Sequence, residues 1–215
     1  MTRLYLLAIP VIIGIIVGGF LAIYPETENN SKIITASKLI ENGSPILGES
    51  NAPITILEWG DYQCTYCYKF HQNTLSIIEE DFIKTGKVKL VFKDFPLNGP
   101  DSLLAAQAAY CAEDQGKYWE YHDILYNSQE SVDSGWANSE RLKAFAFSLD
   151  LDMTLFESCL DSEKYSKRVQ YNIQQAIDNG VKGTPGFFIV GPNEQQKIGG
   201  AQPFSVFKNI LDSMI

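Results

Sequence analysis

Cys64 and Cys67 stand three apart between a β-branched run and a helical pattern, and this placement constrains the fold more than any other stretch. Upstream, Ile54-Thr55-Ile56-Leu57-Glu58-Trp59 is short, apolar and β-branched, which predicts a strand. A pleat puts Ile54, Ile56 and Glu58 on one face and Thr55, Leu57 and Trp59 on the other. Both faces are mostly apolar, so the strand is expected to be central and covered on both sides. Glu58 is then an acid on a buried face, a costly placement without a partner or a task. Downstream, Tyr66 to about Thr85 reads as a helix with Phe70, Ile77, Ile78 and Phe82 on one side and Gly86 as its stop. Val88 to Asp94 reads as a second strand. The opening unit is therefore strand, CxxC, helix, strand.

The middle of the chain is helical. Asp101–Asp114 is Ala-rich, Lys117–Tyr126 is aromatic, and Ser139–Leu149 and Met153–Leu160 follow. Glu163–Asn179 is long and strongly periodic through Tyr165, Val169, Ile173, Ala176 and Ile177. Strands return at Phe187–Val190 and, after the turn Gly191-Pro192-Asn193-Glu194, in a short segment through Ile198. Phe204, Phe207, Leu211 and Met214 mark a closing amphipathic helix. The class is α/β, with a helical block set into a sheet.

At the other end, Leu4 to Tyr24 runs 21 residues without a charge. At about 1.5 Å per residue this spans a hydrocarbon core of about 30 Å. A cleaved signal peptide would have a shorter apolar region and a small-x-small site, which Phe20-Leu21-Ala22-Ile23-Tyr24 lacks. The expectation is a transmembrane anchor at 1–24 and a polar tether at 25–44, with a short helical piece around Ala36 to Glu41. Arg3 on the short side predicts that the rest lies outside the cytoplasm. Either reading exports the chain to a compartment where disulfides persist. Seventeen basic against 26 acidic residues give a net charge of −9, which argues against nucleic acid as a partner.

A zinc reading of the CxxC needs four ligands. The other candidates, Cys111, Cys159, His71 and His122, form no second close pair, so no metal is expected there. The two histidines read as helix-surface or packing residues. A structural disulfide across two residues would constrain little of the unfolded chain. Redox chemistry explains the location better. A cysteine at a helix N-terminus meets unpaired N–H groups and the positive end of the helix dipole, which favour the thiolate. Thiol pKa values in such motifs fall to about 3.5–7.5. Cys64 is expected to be the exposed, low-pKa nucleophile and good leaving group, with Cys67 about one turn deeper.

The segment Asn51 to Cys67, with Thr184-Pro185 before a distal strand, resembles the active-site region of DsbA-like thiol:disulfide oxidoreductases. The resemblance covers 45–215 and implies a thioredoxin-like fold with a helical insertion at about 100–162. It implies that Pro185 is a cis-proline facing the CxxC, and that Thr184 offers its backbone to an extended substrate. Glu58 corresponds to the buried acid that acts as general base for the deeper cysteine. Cys111 and Cys159 fit the structural disulfide some relatives carry in the helical block, against the alternative of two buried free thiols. Relatives often have Pro or Pro-His between the cysteines, whereas Thr65 and Tyr66 stand here. Their hydroxyls are candidate donors to Cys64, and Tyr66 is expected to be exposed to substrate. The implied activity is disulfide formation in exported proteins with free thiols. A membrane DsbB- or VKOR-type partner would reoxidise the pair, and no organic cofactor is needed. An isomerase or reductase of the same fold, or a chaperone-like binding module, is the alternative.

Overall fold

In the computed structural model, which describes residues 36–215, a four-stranded sheet has the order β2-β1-β3-β4. The central strand β1 (Ile54–Gly60) is buried at every residue. It pairs in parallel with β2 (Val88–Asp94) and antiparallel with β3 (Gly186–Val190). The hairpin partner β4 (Gln195–Gly199) forms the other edge. The expected anchor at 1–24 lies outside the described residues. Among the described residues no helix is long and apolar enough to cross a membrane.

The pleat of β1 sorts the two layers. Ile54 and Ile56 join Phe70, Ile78, Phe82, Phe187 and Phe207 in one core. Apart from Phe187 of β3, these come from α2 (Thr65–Phe70), α3 (Ser76–Ile78), the adjoining π turn and α9 (Phe204–Met214). Leu57 and Trp59 face the opposite core with Phe188, Val190 and Ala176 of α8 (Ser166–Asp178). α2 continues through a π-helical turn (His71–Leu75) into α3 and a second π turn (Glu79–Ile83). Gly60 ends β1 where nothing larger fits: a Cβ there would lie 2.3 Å from the Phe92 ring.

Between β2 and α8 stand α4 (Pro100–Glu113), α5 (Tyr118–Asn127), α6 (Ser139–Ser148) and α7 (Met153–Asp161). They enclose an aromatic and alanine-rich core that includes Tyr62 and Phe92 from the sheet side. Buried polar groups fasten block to sheet. Asp94, at the end of β2, accepts hydrogen bonds from Tyr110 and from Asn172 (3.0 Å). Burial raises its carboxyl to about 6, against the pull of those donors.

The polar segment before residue 45 departs from the expected tether. Residues 36–40 form α1 (Ala36–Ile40), with Leu39 only 1% exposed against Leu57 and Trp59. Ser44 and Leu47 then bond the free edge of β2, through Ser44 N to Phe92 O (2.8 Å) and Leu47 N to Leu90 O (2.9 Å). Backbone carbonyls hold the segment: Leu39 and Glu41 accept from Lys93 Nζ, and Asn42 and Gly43 accept from Arg168. Its composition is polar because its side chains face out while its carbonyls solvate buried cations.

Cys111 of α4 and Cys159 of α7 form a disulfide across 48 residues of sequence. Closing a loop of that length removes denatured-state entropy worth about 4 kcal/mol. Cys111→Ala/Cys159→Ala is expected to lose about that much stability in urea unfolding. An unchanged midpoint and slope would show that helix packing alone holds the block.

Candidate functional site

The chain leaves β1 at Gly60 and turns on Asp61. The buried Asp61 carboxylate accepts from Gln63 N (2.8 Å), Leu97 N (2.7 Å), Asn98 N (2.9 Å) and Asn98 Nδ2 (2.7 Å). One charge thereby fixes both the loop before the CxxC and the loop after β2. Gln63, fully buried, donates to Asn98 O and Ser102 Oγ and accepts from Asp133 N. Gln129 Nε2 donates to Tyr62 O (2.6 Å) and Cys64 O (3.2 Å). None of these three anchors was singled out from sequence. The available signal was Asp61 two residues before Gln63, the spacing of an Asx turn.

Cys64 is the N-cap of α2, and Cys67 lies in its first turn. Both thiols are free. Cys64 is 8% exposed and Cys67 0%, so the outer sulfur is more sheltered than the sequence suggested. Solvent instead meets Thr65 and Tyr66, the latter 60% exposed. The Cys64 thiol is lowered from 9.0 to about 6. The largest cause is the hydrogen bond from the Cys67 thiol. Burial opposes it, and the Thr184 side chain and the N–H groups of Cys67 and Tyr66 assist. The helix start therefore contributes through its backbone, while the Thr65 and Tyr66 side chains project away. Burial pushes the Cys67 thiol well above its ordinary value, and the negative charges of Cys64 and Glu58 add to this.

Glu58 is 2% exposed and lies on the Ile54/Ile56 face, toward the CxxC helix. Burial raises its carboxyl well above the ordinary range, and the charge on Cys64 raises it further. Among the described residues no lysine forms an ion pair with Glu58. Lys93, the buried lysine of the neighbouring strand, pairs in register with Trp59 and so faces the opposite layer. The Thr184–Pro185 peptide is cis. Pro185 is buried beside the pair, and Cys64 Sγ lies 3.3 Å from Thr184 O. The fold thus gathers Cys64, Cys67, Glu58, Thr184 and Pro185 from β1, α2 and the loop before β3. Cys111 and Cys159 lie apart from them, in the helical block.

A Thioredoxin family model matches residues 41–213. The chain is 28% identical over 167 residues to disulfide bond formation protein D of Bacillus subtilis, covering 76% of this chain and 75% of that one. The crystal structure of oxidised BdbD from Bacillus subtilis superposes with a TM-score of 0.74 at 26% identity, over 81% of this chain and 94% of that one. The structure of alpha-DsbA1 from Wolbachia pipientis gives 0.71 at 28% identity, over 81% and 91%.

The thiol asymmetry has a pH signature. Alkylation of Cys64 in the dithiol form is expected to titrate near pH 6 rather than 9. Cys67→Ala, which removes the largest cause, shifts that midpoint upward. The lowered thiol favours the folded dithiol fully above about pH 9, and this contribution is lost as pH falls through about 6. Unfolding of the dithiol and disulfide forms, compared across that window, should show the dithiol gaining as pH rises. A flat difference would contradict the assignment.

Proposed function

The chain belongs to the DsbA-like thiol:disulfide oxidoreductases of the thioredoxin family, and from that premise we propose that it donates disulfide bonds to exported proteins through Cys64 and Cys67. The observation that carries the reading is the gathering of Cys64 at a helix start, the enclosed Cys67, the buried Glu58 and the Thr184–Pro185 loop in one site, with the Cys64 thiol lowered beside a raised Cys67 thiol. A disulfide whose outer sulfur prefers the thiolate is readily given away.

In the oxidised enzyme a substrate thiolate attacks Cys64 Sγ. The Cys64–Cys67 bond breaks, and Cys67 leaves with the electron pair. Because its environment disfavours the thiolate, Cys67 takes a proton, and the neutral Glu58 carboxyl supplies it. A second substrate thiolate then attacks the substrate sulfur of the mixed disulfide, and Cys64 departs as a thiolate held by the helix start. The substrate loses two electrons and the enzyme gains them. In the reverse step Glu58, now a carboxylate, is the base that activates Cys67. Thr184 and Pro185 present the loop along which an extended substrate strand docks, and Thr65 and Tyr66 form the exposed rim it touches.

We place the catalytic domain, 45–215 with a helical insertion at about 100–162, on the extracytoplasmic side, held by residues 1–24 as an anchor and joined through 25–44, of which 36–44 pack on the domain. A membrane DsbB- or VKOR-type partner is the proposed acceptor for the two electrons.

Oxidative refolding of a reduced, unfolded test protein checks this reading. Catalytic amounts of oxidised chain should form bridges quickly with an added reoxidant, and Cys64→Ala should abolish the effect. Glu58→Gln should leave mixed-disulfide formation at Cys64 in place but slow the steps that move the Cys67 proton by about 10²-fold. A delay in aggregation that survives Cys64→Ala, with no bridges formed, would mean a binding module instead.

A further inference from the structure

A second group of donor side chains lies one helical turn beyond the CxxC. His71 follows Cys67 by four residues and opens the first π turn, while His122 and Asp123 are neighbours on α5. One ligand atom from each of the three lies within 4.8 Å of the other two. His71 Nε2 and Asp123 Oδ1 are 3.7 Å apart. We propose that His71, His122 and Asp123 form a transition-metal site, selective for Zn2+-like ions, that bridges the CxxC helix and α5.

His122 carries the argument. It is 1% exposed, and its Nε2 is buried with no hydrogen-bond partner. An unpaired buried ring nitrogen is costly and asks for an explanation. Its other nitrogen, Nδ1, lies 3.0 Å from the Tyr62 hydroxyl. With that hydroxyl accepting from Nδ1–H, the Nε2 lone pair is left free. Ligating histidines are oriented in this way by a partner on the second nitrogen. The ring is fixed further by edge contacts with Tyr62, Phe92 and Tyr126. His71 is held flat against Tyr126, with ring centroids 4.9 Å apart.

Closing the site draws together ligand atoms that lie within 4.8 Å of one another. Zn–N and Zn–O bonds of about 2.0–2.2 Å place tetrahedral ligand atoms about 3.3–3.6 Å apart. The His71–Asp123 pair is already near that spacing. The Asp123 side chain is 57% exposed, so it is free to swing toward the ion. Its solvent side leaves a fourth position for water. Glu79 and Glu120 both act on Asp123, so the surrounding field favours a cation. Two imidazoles and one carboxylate suit zinc, copper, nickel or cobalt and not calcium or magnesium. His71 and His122, which form no close pair in the sequence, meet through the fold beside Asp123, and neither Cys64 nor Cys67 takes part.

Calorimetric titration of the full-length chain with ZnCl2 tests the proposal, with Cys64 and Cys67 oxidised so that no thiolate competes. The expected result is one ion per chain with a Kd of about 1 µM or tighter. Co2+ should give visible ligand-field bands without thiolate charge transfer. Asp123→Asn, a surface change that leaves the core intact, should weaken binding at least about tenfold, as should His71→Gln. Tyr62→Phe, which removes the acceptor on Nδ1, should weaken it about 10–100-fold. No Zn2+ uptake by the oxidised chain, or uptake unchanged in both Asp123→Asn and His71→Gln, would overturn the site.

Discussion

The unequal hold of Cys64 and Cys67 on their protons, set by burial and by the closeness of the two thiols at the head of one helix, is the constraint on which the chemistry of this protein depends. It assigns one proton between two sulfurs, and burial decides which keeps it. Cys67 is fully enclosed and faces the negative charges of Glu58 and Cys64, so it retains the proton. Cys64 has backbone N–H groups and the Thr184 side chain to stabilise its charge, so it releases the proton. Thr65 and Tyr66 leave this division intact, because the stabilising groups are backbone and distal loop rather than the two intervening side chains.

The rest of the fold maintains that asymmetry. The pleat of β1 delivers Glu58 to the thiol layer and keeps Lys93 in the other, so among the described residues no lysine pairs with the buried acid. Asp61 ties the CxxC loop to the β2–α4 loop with four accepted hydrogen bonds. The helical block closes over the site through Gln129 and through the Gln63–Asp133 contact. It is anchored in turn by the Asp94–Tyr110–Asn172 cluster. The helical block is thus part of the wall around the CxxC pair as well as a cover for the sheet.

Periodicity made the central strand, the CxxC helix, the hairpin and the closing helix legible in the sequence, because each buries one apolar face. Glu58 was legible for the same reason: an acid at a buried pleat position is anomalous on local grounds alone. Thr184 and Pro185 could be read only through resemblance, since no local pattern reveals a cis peptide or a contact spanning 120 residues. The short helix at 36–40 was legible, but its docking on the sheet was not, because composition reports side chains and this segment is held by its carbonyls. The grips of Gln63 and Gln129, like the meeting of His71 with His122, arise from tertiary contacts between α5, its following loop and the CxxC segment. Single-helix periodicity carries no record of them.

The central claim is that Cys64 and Cys67 form a disulfide that is readily given away. The reduction potential of the full-length chain, equilibrated against glutathione, measures this directly. The account predicts a value above about −200 mV, on the oxidising side of protein disulfide couples. A value below about −300 mV, in the range of structural disulfides, would contradict it.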